Sequence, residues 1–244
     1  FTRNGQQWVE HGLFRCGFEF KFQGKWQMVF TLAGALIVSA FYFSLPTIAR
    51  AYNERAIEFQ QNGDLSTALK SYERAVNLNP GYAVAHYNLA NAYEDVEAFD
   101  EALAEYQTAL RADPKFYFAH NNLARLYLLR RKDHASALNI INSALDLRPK
   151  EPQVKYSLYK NRGWAHLGLG YYDLAVADLR ESLNWRQDGA AAHCLLAQAL
   201  EAQRKETAAR PEWEACLGHV AGEADVEAIW LSLARKRLDQ GEKK

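Results

Sequence analysis

The sequence predicts an all-α protein: one apolar helix near the amino terminus, followed by a solenoid of stacked helical hairpins. Three observations carry this. Residues 26–49 contain no acidic or basic side chain. An eight-residue pattern of small and large apolar residues returns at a spacing of 34, as His86–Tyr93 and His120–Tyr127. Each copy is followed by a second helical pattern that ends near a proline, Pro114 and Pro149, and the same series 34 residues earlier ends at Pro80.

The elements follow in chain order. Residues 1–25 read as a juxtamembrane arm, in which Phe18-Glu19-Phe20-Lys21-Phe22 alternates apolar and charged residues as a half-buried strand does. As an interfacial arm it would set its aromatic rings against lipid headgroups. Residues 26–49 are expected to form a single-pass transmembrane helix, since 24 residues reach about 36 Å and a hydrocarbon core is ~30 Å thick. Trp26, Tyr42 and Phe43 lie near its ends, where amphipathic rings favour the headgroup level. Pro46 is expected to kink or restart the helix. Val38-Ser39-Ala40 also matches a signal-cleavage pattern, but some 25 residues precede the apolar run. Arg15, Lys21 and Lys25 before the span, against Arg50 and Arg55 after it, lean to a cytoplasmic amino terminus, and the side of the following domain stays open.

From Arg50 onward the repeats succeed one another. Five copies are expected at 50–82, 83–116, 117–151, 156–189 and 190–222, with a capping helix at 223–240. Small residues such as Ala56, Ala90, Ala124, Gly163 and Ala197 sit where paired helices cross closely, because a bulky side chain there would force them apart. Gly63 and Gly170 allow the turn inside a pair. The third copy needs one extra residue in its turn, and about four residues precede the fourth. Pro211 falls early in the last second helix, so that helix is expected to start late. Trp230, Leu233 and Ala234 begin a sixth copy that stops after one helix, with Arg235-Lys236-Arg237 as a solubilising end.

This pattern resembles the tetratricopeptide repeat over residues 50–241. The resemblance implies a right-handed superhelix of hairpins whose first helices line a concave wall. It implies protein or peptide binding there and no catalysis.

Composition narrows the function further. Lys plus Arg equals Asp plus Glu at 29 each, and no basic stripe suited to phosphate neutralisation stands out, so no nucleic-acid partner is expected. Cys16, Cys194 and Cys216 show no metal or redox spacing, and reduced thiols are expected. His86, His120 and His193 recur at one place in three first helices. On a helical wheel His86 lies about 60° from Leu89, on the core flank. Neighbouring helices ~8–10 Å apart do not bring such rings within the ~2.1 Å that zinc requires. No cofactor or metal is expected. No nucleophile–base pair or phosphate loop is visible, so the chain reads as non-catalytic.

The candidate partner-binding residues are Tyr87, Asn88, Asn91, Asn122, Arg125, Asn161 and Trp164. The wheel puts Asn88 and Asn91 opposite the core flank, with Asn122 and Arg125 as counterparts and Asn161 with Trp164 continuing the series. A row of amides can pair with an extended peptide backbone whatever its sequence. In this it is similar to the asparagine ladder of the glycosyltransferase that modifies intracellular proteins. The lysine-rich groove of chaperone-type repeats is not matched, since Asn53 and Ile57 stand there. An anchor followed directly by repeats is similar in layout to mitochondrial import receptors and photosystem-assembly proteins. The function expected is thus a scaffold or assembly factor that tethers partner proteins at a membrane. The alternatives are a structural subunit of a large membrane complex, and the regulatory tail of a longer enzyme preceding Phe1.

Overall fold

The computed structural model describes residues 25–219 and 228–241, and every element among them is helical. The arm at 1–24, with its expected strand at 18–22, lies outside the described residues, as does the start of the expected cap.

Helix α1 (Lys25–Gln61) is one uninterrupted element of 37 residues, about 55 Å long at 1.5 Å per residue. The expected boundary at 49/50 is therefore not a break, because apolar stretch and first repeat helix are the same rod. Pro46 sits inside it without ending it. Proline removes one backbone donor, and the helix continues because its lower part is held by packing: Ala49, Asn53 and Ala56 are buried. Its upper part is bare, with Leu36, Ile37 and Phe43 at 70, 71 and 83% exposure.

The hairpins follow. Helix α2 (Leu65–Leu78) folds back on α1, and α3 (Ala83–Asp95) pairs with α4 (Phe99–Ala112). Next, α5 (Tyr117–Leu126) with its extension faces α6 (His134–Asp146), α7 (Pro152–Gly168) faces α8 (Tyr172–Trp185), and α9 (Ala190–Ala202) faces α10 (Glu206–Gly218). Helix α11 (Ala228–Gly241) covers the last pair. Alanines carry the crossings: Ala56, Ala75, Ala90, Ala109, Ala124, Ala144 and Ala197 are fully buried. Gly163 holds the same place in the fourth pair, where a Cβ would meet Leu179 Cγ at 2.6 Å. Tyr72, Tyr106, Leu179 and Trp213 fill the adjoining space.

The irregular spacing from Ala124 to Gly163 resolves into two local solutions. The extra residue of the third repeat becomes a π-helical turn at Tyr127–Arg131, the usual way a helix absorbs a single insertion. The four residues before the fourth repeat become an additional turn at the start of α7, opened by Pro152 in its first position.

The turns inside the hairpins share one backbone solution. Gly63 and Gly170 have φ of 79° and 80°, and Glu97, Lys132 and Arg204 hold the same left-handed place at 59°, 54° and 60°. Glycine adopts this region freely, whereas other residues meet Cβ crowding. Asp64 and Asp133 then cap α2 and α6 by accepting the amides of Thr67 and Ser136. These bonds hold both carboxyls below the usual carboxylate range.

Two expectations are corrected. Helix α10 does not start late: it begins at Glu206, with Pro211 inside. Thr207 and Pro211 are both exposed, so the carbonyl that Pro211 cannot engage faces solvent. Cys194 and Cys216 are not free thiols but form a disulfide between α9 and α10, with Cα atoms 5.0 Å apart. An odd cysteine count says little when two of them sit at facing positions of a single hairpin.

Candidate functional site

The first helices of the hairpins display the candidate residues, and the geometry sorts them into three groups. The largest spans the second and third repeats. Tyr106 of α4 is fully buried, and its hydroxyl lies 2.5 Å from Asn91 Oδ1 and 2.6 Å from Glu94 Oε1. Asn122 of α5 donates from Nδ2 to Asn91 Oδ1 at 3.1 Å, to the Tyr106 hydroxyl at 3.2 Å and to the Tyr87 hydroxyl at 3.3 Å. Arg125, one turn on, meets Glu94 Oε2 at 2.6 Å. Four candidates, Tyr87, Asn91, Asn122 and Arg125, thus converge through two residues that were not binding candidates, Tyr106 and Glu94. Burial, then the Glu94 charge, pushes the Tyr106 phenol well above the usual range, so its hydroxyl keeps its proton.

The second group is a pair of amides, Asn88 donating to Asn53 Oδ1 at 2.9 Å. Asn53 is 3% exposed and Asn88 half-buried. The third lies in α7. Asn161 donates to Asn121 Oδ1 at 2.8 Å and is only 1% exposed, with its own Oδ1 unpaired. Trp164 is half-buried and meets Trp230 of α11 edge-on at 4.9 Å. The wheel set Asn88 and Asn91 opposite the core flank, yet Asn91 bonds the buried Tyr106 of its own hairpin partner and Asn161 is enclosed. It could not show that the next first helix leans over the same flank and takes up their hydrogen-bonding groups. The signal for Asn53 was available, since Asn53, Asn88 and Asn122 recur at 35 and 34 residues.

The repeated histidines brace the array. His86 Nδ1 lies 2.6 Å from Glu105 Oε2 and its Nε2 lies 3.0 Å from the Pro80 carbonyl. His193 repeats this with Glu212 at 2.6 Å and the Gln187 carbonyl at 2.9 Å. His120 reaches the Pro114 carbonyl at 2.9 Å, while its Nδ1 is buried and unpaired. Each ring therefore ties a first helix to the loop before it, and two also tie it to the second helix. His166 meets Asp178 at 2.8 Å, and Arg162 grips the same carboxylate through Nε and Nη2 at 2.6–3.0 Å. Among the described residues no three His, Cys, Asp or Glu side chains are grouped to hold a metal.

Comparison with known proteins agrees with this architecture. Residues 57–96 match a TPR repeat family, and residues 83–116 and 156–188 match tetratricopeptide repeat families. No curated protein sequence matches the chain. Among solved structures, PilW, described as a widely conserved type IV pilus biogenesis factor, is 22% identical with a TM-score of 0.67, covering 80% of this chain and 88% of its own. Pseudomonas aeruginosa PilF is 20% identical with a TM-score of 0.64, covering 82% and 86%. YrrB, described as a TPR protein with an unusual peptide-binding site, is 18% identical with a TM-score of 0.57, covering 76% and 90%. The chain therefore carries tetratricopeptide repeats on both sides of the π-helical turn, at residues 57–116 and 156–188, and its hairpins share the fold of these structures.

Proposed function

We propose that the chain is a non-catalytic scaffold that presents one wall of its solenoid to an extended segment of a partner protein beside a membrane. The observation that carries this is the junction of α3 and α5, where Tyr87, Asn91, Asn122 and Arg125 converge while staying partly exposed. Asn88 lies on the same helix, and Trp164 extends the row toward the carboxyl end. Because these side chains already hold one another, they are preorganised, and a bound segment need not order them first. Asn161 lies beneath this surface and supports it through Asn121. Tyrosine and arginine are the anchors most often enriched at binding hot spots, and YrrB offers a precedent of a peptide site on this fold.

The membrane part of the proposal rests on α1. Its upper half is long and apolar enough to cross a bilayer, and it is exposed rather than packed in a core. Large apolar residues left bare along several turns call for lipid or another apolar helix.

The test is affinity isolation of the full chain from membranes, with captured partners identified by mass. The comparison variant combines Asn88→Ala with Arg125→Ala, and circular dichroism monitors the fold. Capture should fall at least tenfold with helix content unchanged. Undiminished capture would move the contact to the second helices.

A further inference from the structure

We propose that the solenoid folds on the oxidising side of the membrane, leaving the amino terminus on the reducing side. This rests on the reading of α1 as a membrane span and adds the orientation that the flanking charges leave open. The carrying observation is the Cys194–Cys216 bond between α9 and α10. Both residues are fully buried, packed among Leu195, Leu196, Trp213 and Trp230.

Disulfides persist in secreted, periplasmic and luminal proteins, and thiol-reducing systems keep them open in the cytosol. Burial sharpens that rule. Once α9 and α10 have closed, neither sulfur can be reached by a thiol reagent, so the bond must form while the hairpin is still open. The oxidant required is a disulfide carried by a thiol oxidoreductase. The thiolate of one cysteine attacks the carrier disulfide and expels one carrier thiolate. The second cysteine then attacks the mixed disulfide and expels the other, and the carrier leaves as a dithiol with the two electrons. A hairpin that closed before meeting such a carrier would trap two thiols permanently.

The bond also constrains topology, because no break separates it from the anchor. Helix α1 runs without interruption from the apolar stretch into the first hairpin, and the hairpins follow through short loops. The whole described array therefore lies on one side. If Cys194 and Cys216 meet an oxidising compartment, so does every repeat, and the chain before Lys25 faces the other way. The three basic residues ahead of the span, against two after it, agree with that direction.

Two readouts test this on the full chain in its own membranes. Thiols are trapped by acid, and the denatured chain is labelled with a polymer-bearing maleimide before and after reduction. One tag is expected before reduction, from Cys16, and three after. Protease added to the face exposed to the oxidising compartment should degrade the solenoid with the membrane intact. Three tags before reduction, or a solenoid cut only after the membrane is broken, would overturn the proposal. Alkaline carbonate extraction checks the span separately. Release of the chain with the disulfide intact would sink the membrane span, and this topology with it, while preserving the oxidising compartment.

Discussion

The second and third repeats hold together differently from the fifth, although both are built on the same spacing. Between α3, α4 and α5 a polar network is added to the apolar core of Ala90, Leu103, Leu123 and Leu126: Tyr106, Asn91, Glu94, Asn122 and Arg125 share hydrogen bonds across two hairpins. Between α9 and α10 the apolar core of Leu195, Leu196, Leu200 and Trp213 is clasped by the disulfide, with His193–Glu212 and Trp213–Glu201 as local polar ties inside the one hairpin. A polar joint of this kind demands every partner, since a buried group left unsatisfied costs about 1–3 kcal/mol. An apolar joint tolerates more, but it offers nothing directional to a ligand. The region proposed for binding is accordingly the one where a hydrogen-bond network crosses from one hairpin to the next. The carboxyl-terminal pair, clasped by its disulfide and covered by α11, closes the array.

That contrast can be broken from either end, because stability in a repeat array is a sum of local terms. The largest effect is expected from Trp213→Ala, since removing a tryptophan that is 2% exposed typically costs about 3–5 kcal/mol. Hydrogen exchange should accelerate in α9, α10 and α11 and stay unchanged in α3 and α4. Uniform acceleration across the chain would mean that the two regions are a single cooperative unit. Tyr106→Phe should do the reverse at smaller scale, about 1–3 kcal/mol. It strips one hydroxyl from the network, so exchange should rise in α3 to α5 alone. An unchanged pattern would mean that Asn91, Glu94 and Asn122 satisfy one another without it.

The smallest expected effect is alkaline, and it belongs to the amino-terminal region. Burial, followed by nearby carboxylates, pushes Tyr72 and Tyr93 up to about 12. A phenol whose folded value lies above its unfolded value of ~10 contributes stability that is intact below pH ~10 and is lost as pH rises toward 12. Melting followed between pH 9 and 12 should therefore show α2 to α4 loosening before α9 to α11. Simultaneous loss would show that titration elsewhere dominates.

Much of this was legible from residue order. Alanine and glycine at the crossings announced the hairpins, since a small side chain recurring every 34 residues has little other use. Trp230 and Ala234 likewise announced a lone covering helix, and both are buried. The candidate site was legible only as a face. Wheel geometry describes one helix at a time, so Asn161 looked available although α5 lies against it through Asn121. Tyr106 was legible as a repeat core residue but not as part of the site, and Glu94 is an ordinary acid in a last turn; their meeting is tertiary. The same holds for Cys194 and Cys216, whose 22-residue separation becomes a contact only when the hairpin closes. Pro46 and Pro211 misled for a related reason. Proline's local cost is real, but packing below Pro46 and solvent beside Pro211 make it bearable.

The unbroken run of α1 has a mechanical consequence. From Ala49 to Gln61 the rod advances only about 18 Å, and no slack joins it to the apolar stretch above. A domain on a loose leash sweeps a broad volume and meets partners at many heights. If α1 crosses a bilayer as proposed, this one is mounted on a shaft, and the proposed binding wall would stand in a thin layer above the lipid with little freedom to tilt. Partners whose segments emerge within that layer, such as neighbours anchored in the same sheet of lipid, are favoured by standoff distance before any side chain is read.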